Sequence, residues 1–542
     1  MGETSSGHLA VRALKRAGVE HLFTLSGGHI FPLYDGCRHE QVRLVDTRHE
    51  QAATFAAEGL AKLTRRPQVA ALTAGPGVTN AVSAVAGARF SGAPVLALGG
   101  RAPQSTWGAG SLQEIDHVAF MAPLTKHAAT SDAPADVAGD VATALRAAAS
   151  PHRGPTFVDI PLDVIYAPAP EDSVPAWAEP QAVRPDPDLV AAAADALSRA
   201  ERPVVVAGTD VWFGAAEPAL RALAESAHVP VIANGMGRGC LPADHELAFS
   251  RARGAAFKRA DLVVVVGTPL DFRLGFGRFG EARVIHVVDH PEALPGTGHP
   301  ADVALSVAGD LATVLDGLAA AGGPGAARKA WVADLRDTEQ ARRAQETELL
   351  EAGGERIHPA RVYGELRRIL ERDAVVIGDG GDFVSFAGKY IDSYTPGCWL
   401  DPGPYGCLGT GMGYAIAGRL ARPDAQVVTL LGDGAAGFGL MDAETLARHD
   451  LPVVMIVGNN GIWALEKFPM RELYDGWDCA ADLQPGLRYD EVVAALGGAG
   501  ETVERPDELA PALERAFAAG VPYLVNVLTD PSIAYPRSTA LA

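Results

Sequence analysis

Val427-Val428-Thr429-Leu430-Leu431-Gly432-Asp433-Gly434 and the later run Val454-Met455-Ile456-Val457-Gly458-Asn459-Asn460 decide how this chain is read. Each is an apolar β-branched run of strand length that stops on small or polar residues, as a strand buried on both faces does where it leaves its sheet. Isolated, Gly-Asp-Gly reads as a turn and Asn-Asn as a helix cap. Two such groups at the ends of two successive buried strands say more, because a motif gains force from its structural context. A hard divalent cation takes oxygen ligands and commonly bridges a carboxylate to a diphosphate. Asp433, the Asn460 amide oxygen and a backbone carbonyl could supply such a set. Gly432 and Gly434 would let backbone and a helix N-terminus approach phosphate oxygens.

Outward from this pair, short apolar runs alternate with Ala/Leu-rich helical stretches along the whole chain, the pattern of parallel strands joined by crossover helices. The first set holds HLFTLSGG, VRLVDTRHE, QVAALTAGPG, APVLALGG and PTFVDIPLD, and it ends in a Pro-rich linker. The second holds RPVVVAG, VPVIANG, ADLVVVVGT and ARVIHVVDH, and gives way to AAAGGPGAARKA. The third holds AVVIGDG, QVVTLLGDG, LPVVMIVGNN and PYLVNVLTD. The expected fold class is α/β, with three doubly wound parallel-sheet domains: residues 1–167, a linker over 168–186, a middle domain over 187–335 and a last domain over 336–542.

A chain of 542 residues is long enough for three such cores. Lys plus Arg number 46 against 66 Asp plus Glu, a formal charge of −20, which argues against general affinity for nucleic acid or anionic membrane. Five cysteines without CxxC or zinc-type spacing predict a reduced, cytoplasmic protein without disulfides. No signal peptide or membrane span is expected from the N-terminus or from any apolar stretch.

Further candidates lie elsewhere. Asp46-Thr47-Arg48-His49-Glu50 ends a strand and enters an Ala-rich helix, where a carboxylate could simply complement the helix dipole. Thr73-Ala74-Gly75-Pro76-Gly77 and Ser26-Gly27-Gly28-His29 are tight turns after strands. Gly275-Phe276-Gly277-Arg278-Phe279-Gly280 satisfies GxGxxG but begins several residues after its strand, so dinucleotide binding through that loop is not expected.

The paired motifs resemble the thiamin-diphosphate fingerprint, and the whole chain resembles acetolactate synthase large subunits of actinobacteria. The resemblance implies thiamin diphosphate and Mg2+ as cofactors, with Asp433, Asn460 and the Ile462 carbonyl on the metal and Gly432, Gly434, Ala435 and Asn459 around the diphosphate. It implies that Glu50 drives formation of the cofactor ylid, that the turn at Pro76 lies near the pyrimidine, and that the loop holding Gly28 and His29 approaches the reacting centre. Leu408 and Gly409, in Gly406-Cys407-Leu408-Gly409, match the segment that bends the cofactor. Gln113 matches the synthase glutamine. The chain departs from the family at Leu465 and Phe468-Pro469, where a Met and a Gln-Trp pair would stand. Leu465-Glu466 instead resembles the Ile-Glu pair of 2-oxo acid decarboxylases, with Glu466 as proton carrier. The segments Gly434–Thr445, Gly411–Ala417 and Met236–Gly254, the last with Arg251 and Arg253, resemble 2-hydroxyacyl-CoA lyases and oxalyl-CoA decarboxylases. Arg251 and Arg253 would suit CoA phosphates, and Asp289 could hold the ribose of FAD or ADP in the middle domain.

The expected activity is therefore carbon-carbon bond cleavage or ligation through a ylid and an enamine, of acetolactate synthase type. The alternatives are a 2-hydroxyacyl-CoA lyase or oxalyl-CoA decarboxylase, and a cofactor-binding subunit without catalysis. A small-molecule substrate, a 2-oxo acid or acyl-CoA, is implied. So is a homodimer or homotetramer, since the family places the domains bearing Glu50 and Asp433 in different subunits around each cofactor.

Overall fold

A computed structural model describes residues 4–296, 298–320 and 325–536. It contains three six-stranded sheets. Counting each sheet's strands from its own first, the outer two share the order 2-1-3-4-6-5, and the middle one has 3-2-1-4-5-6. Every pairing within the three sheets is parallel. The apolar runs form the central strands: Gln68–Leu72, Pro203–Ala207, Leu262–Val266 and Val375–Asp379 are buried at every residue. Covered by helices on both faces, such strands need no polar face.

Within the three six-stranded sheets, five strands escape the sequence reading: Ala128–Thr130, Ala248–Phe249, Val303–Ala308, Trp399–Leu400 and Ala499–Val503. Each lies at a sheet edge. An edge strand has a neighbour on one side only and is covered less, so Ala499–Val503 and Val303–Ala308 are mostly half-buried and lack a continuous apolar run.

The first residues of the expected linker are tied to the first domain. Pro168–Ala169 pairs antiparallel with Thr4–Ser5, and the middle domain's first helix, Pro187–Arg199, is capped by the Asp186 side chain. The junction expected at 335/336 falls instead inside the 25-residue helix Ala326–Leu350. Its first half is bolted to the middle domain: Arg328 donates to the carbonyls of Ala200 (2.9 Å) and Ala227 (3.0 Å), and Trp331 Nε1 to Pro203 O (3.1 Å). The last domain's own fold begins with the helix Pro359–Ile369. Residues 321–324, within the Gly/Ala stretch read as a junction, and the C-terminal residues 537–542 lie outside the described residues.

Two helices join the outer domains. Glu50–Thr64 packs along Gly411–Ala421, and the approach is close enough that a Cβ on Gly413 would lie 2.6 Å from Phe55 Cβ, and one on Gly59 2.8 Å from Ala417 Cβ. Glycine is required at this crossing for space, not for φ.

Candidate active site

Asp433 follows the strand Val427–Gly432 and opens the helix Asp433–Gly439. It is 5 % exposed. Its Oδ1 accepts from Gly434 N (2.8 Å) and its Oδ2 from Gly461 N (2.6 Å). Burial pushes its carboxyl up to about 6, against the pull of those backbone N–H groups. A buried carboxylate with no cationic side chain on it, beside the Asn460 amide oxygen, is the donor chemistry of a hard cation site. Asn460 Oδ1 sits 3.1 Å from Ile462 N. Gly434 has no room for a side chain, because a Cβ there would lie 2.4 Å from the Trp463 ring.

These groups line a cavity of about 520 Å3, together with Leu408, Gly432, Ala435, Leu465 and Glu466. Asn459 is not among its lining: its Nδ2 donates to Asn526 Oδ1 (3.1 Å) and Leu487 O (3.0 Å), which ties the strand end to its neighbour. Two lining or supporting residues were missed from sequence. Arg273, paired with Asp271 (2.7 Å), is the only cationic side chain in the lining among the described residues. Asp379, 1 % exposed at the end of Val375–Asp379, accepts from Gly409 N (3.1 Å) and Gly411 N (2.8 Å), and so anchors the loop that presents Leu408. A strand ending on Asp was a usable signal for Asp379. Arg273 carried none, because it sits in an irregular loop after Leu262–Val266.

The first domain gathers a second group. Glu50, 6 % exposed, opens its helix, and its Oε2 accepts from Asn80 Nδ2 (3.0 Å). Pro76 occupies the first turn of Pro76–Asn80, and Gly75 before it has φ +61°. A Cβ on Gly77 would lie 3.5 Å from Glu50 Oε1, and one on Gly75 would lie 2.7 Å from Gln113 Cβ, so Glu50, the turn and Gln113 form one cluster. Gly28 starts the turn Gly28–Ile30, where the buried His29 sits 3.4 Å from Thr73 Oγ1, its pKa lowered by burial. Among the described residues, none of the first domain lines the cavity around Asp433.

The middle-domain candidates are differently placed. Arg251 is 7 % exposed and bonded to Glu346 (3.0 Å) and Asp392 (2.9 Å). It is a buried tie between domains, not a surface cation. Arg253 donates to Arg273 O (2.5 Å) and lies over the Phe257 ring. Asp289 is held by His152 Nδ1 (3.1 Å), beside the buried Asp210, whose carboxyl is pushed up to about 7 by burial and by Asp289. Gly275–Gly280 shows no strand immediately before it: the strand ends at Val266.

Three family models match the chain: the N-terminal TPP binding domain of thiamine pyrophosphate enzymes over residues 4–120, their central domain over 190–318, and their C-terminal TPP binding domain over 379–527. A probable acetolactate synthase of Mycobacterium bovis and the acetolactate synthase large subunit IlvG of Mycobacterium tuberculosis are each 54% identical to it, over 99% of this chain and 98% of theirs. The human 2-hydroxyacyl-CoA lyase 2 is 33% identical over 96% of this chain and 89% of its own. The three sheets, the oxygen donors beside Gly434 and these full-length matches agree, and the chain belongs to the thiamine pyrophosphate enzyme family.

Proposed function

We propose that this chain is a thiamin-diphosphate- and Mg2+-dependent carboligase of acetolactate synthase type, acting on 2-oxo acids such as pyruvate. The observation that carries the reading is the buried, cation-free carboxylate of Asp433 beside Asn460 and Ile462 in a cavity whose only cationic side chain, among the described residues, is Arg273. Asp433, the Asn460 amide oxygen and the Ile462 carbonyl would hold the Mg2+, and Gly432, Gly434 and Ala435 leave space for a diphosphate. When bound, thiamin diphosphate supplies a carbon nucleophile and an electron sink. Glu50 holds and returns the proton that activates it, Arg273 pairs with the substrate carboxylate, Gln113 orients the acceptor, and Glu466 moves a proton in the second half of the reaction. The full-length relatives named acetolactate synthase support the substrate class.

The separation of Glu50 from the Asp433 cavity supports a site completed between two copies of the chain, one giving Glu50 and Gln113 and the other the metal side. Exposed apolar side chains accompany both halves, with Leu112 78% and Phe438 59% exposed. Light scattering that finds an active monomer would contradict this.

A flavin or ADP in the middle domain is less well supported. Its 3-2-1-4-5-6 order is that of dinucleotide-binding sheets. Asp289, bonded to His152 through Oδ1, keeps an Oδ2 without a hydrogen bond, but Asp210 sets a carboxylate at the helix start after the first strand, where a pyrophosphate would lie. The purified protein is therefore expected to lack flavin absorbance.

The lyase relatives, with Gly434 and Ala435 of the lyase-like segment in the cavity lining, favour a second reading, cleavage of a 2-hydroxyacyl-CoA. Incubation with cofactor, Mg2+ and either pyruvate or formyl-CoA plus a ketone, with products read by mass spectrometry, separates the two. Glu50→Gln should remove turnover in either case, by about 100-fold or more for loss of a proton-transfer group.

A further inference from the structure

His117 has no exposed surface, and both of its ring nitrogens are engaged. Nε2 lies 2.9 Å from the amide nitrogen of Gly75, and Nδ1 lies 2.9 Å from Asp159 Oδ2. A backbone amide only donates, so Nε2 must be the bare acceptor and the ring proton must sit on Nδ1, donated to the carboxylate. Asp159, also fully buried, accepts a further bond from Arg101 Nη1 (3.0 Å), and Arg101 lies over the Trp107 ring and 3.6 Å from Asp116. The chain of bonds Arg101–Asp159–His117 ends on one group, the N–H of Gly75.

That N–H belongs to the residue on which the first-domain cluster turns. Gly75 has φ +61°, and on its other side it meets Gln113, whose own φ of +62° is a conformation that a side-chain-bearing residue holds only when its surroundings impose it. Gly77, two residues on, faces Glu50. We propose that His117 is a positioning residue: locked as the Nδ1–H tautomer by Asp159, it accepts the Gly75 amide and thereby sets both the turn beside Glu50 and the backbone of Gln113. The proposal rests on the function given above only in taking Glu50 and Gln113 as parts of the site.

The test uses the full-length protein with thiamin diphosphate and Mg2+, and it has two readouts that need no turnover. Nitrogen-15 NMR of labelled histidine, with the His117 signal assigned by its loss in His117→Gln, should show a bare Nε2 and a protonated Nδ1 at neutral pH; an Nε2–H tautomer or an imidazolium overturns the proposal. Hydrogen exchange at the Gly75 amide should quicken about tenfold or more in His117→Phe, which keeps the ring packing against Phe120 and Phe157 but has no acceptor. His117→Gln, which offers an amide oxygen, should restore most of the protection and most of the kcat that His117→Phe loses. Equal exchange in the two variants overturns the proposal. If His117→Phe does not fold, the tautomer decides alone. Should both readouts come out as expected while Glu50→Gln keeps full turnover, the functional reading fails and the positioning role of His117 stands.

Discussion

Gly75→Ala tests how tightly the Glu50 cluster is built. The methyl group would meet Gln113 at 2.7 Å from its Cβ and 3.0 Å from its carbonyl oxygen, and neither is the loose end of a flexible side chain. The backbone angles of Gly75, φ +61° and ψ −113°, lie outside the regions open to alanine. Strain of this kind costs roughly 1–3 kcal/mol, and forcing a methyl group into filled space costs about 1–3 kcal/mol more. A loss of about 2–6 kcal/mol in the first domain, at roughly 2–4 °C per kcal/mol, corresponds to a fall of about 4–24 °C in its melting midpoint. Calorimetric scanning reads the midpoint, and turnover should fall with it, because relief of the clash must move either the turn beside Glu50 or Gln113. A variant that melts within a degree of the parent and keeps its rate would refute the reasoning.

Two other substitutions probe the supports of the cavity and of the domain junction. Burial pushes Asp379 up to about 7 despite its bonds from Gly411 and Gly409. The folded state thus holds this proton more tightly than the unfolded chain, so the stability it contributes is present at low pH and is lost as pH rises through about 7. Asp379→Asn, neutral throughout, should flatten the decline of the unfolding midpoint between about pH 4 and 7; an unchanged slope would exclude Asp379 as its source. Arg251→Ala strips one partner from Glu346, which keeps Lys389 at 3.6 Å, and one from Asp392, which keeps Arg343 at 2.8 Å. The expected loss is about 3 kcal/mol, read by denaturant titration, and a change under 1 kcal/mol would mean that the buried network relaxes freely.

Much of this architecture was legible because central parallel strands are covered on both faces and therefore spell themselves out as Val, Ile and Leu. Leu262–Val266 could be read at sight, whereas Ala128–Thr130, only half-buried at an edge, could not. Asp433 and Asn460 stood out for a related reason: they interrupt such runs where the strands leave the sheet. Arg251 read as a partner for CoA phosphates because burial of a charge depends on partners far away in sequence, here Glu346 and Asp392. The same holds for His152 on Asp289 and for His117 on Gly75, contacts that exist only once the domains have folded. The repeated 2-1-3-4-6-5 order of the outer sheets was invisible as well, since topology is set by which strands pair and not by what each contains.

The claim on which the rest depends is that a buried carboxylate binds a diphosphate cofactor through a divalent ion. Isothermal titration calorimetry of the purified protein with thiamin diphosphate tests it directly. With Mg2+ present, saturable heat should appear at one equivalent per chain, and it should vanish both on chelation of the metal and in Asp433→Ala. Absence of heat with Mg2+ in excess, from protein that carries no cofactor already, or equal binding by Asp433→Ala, would contradict the account.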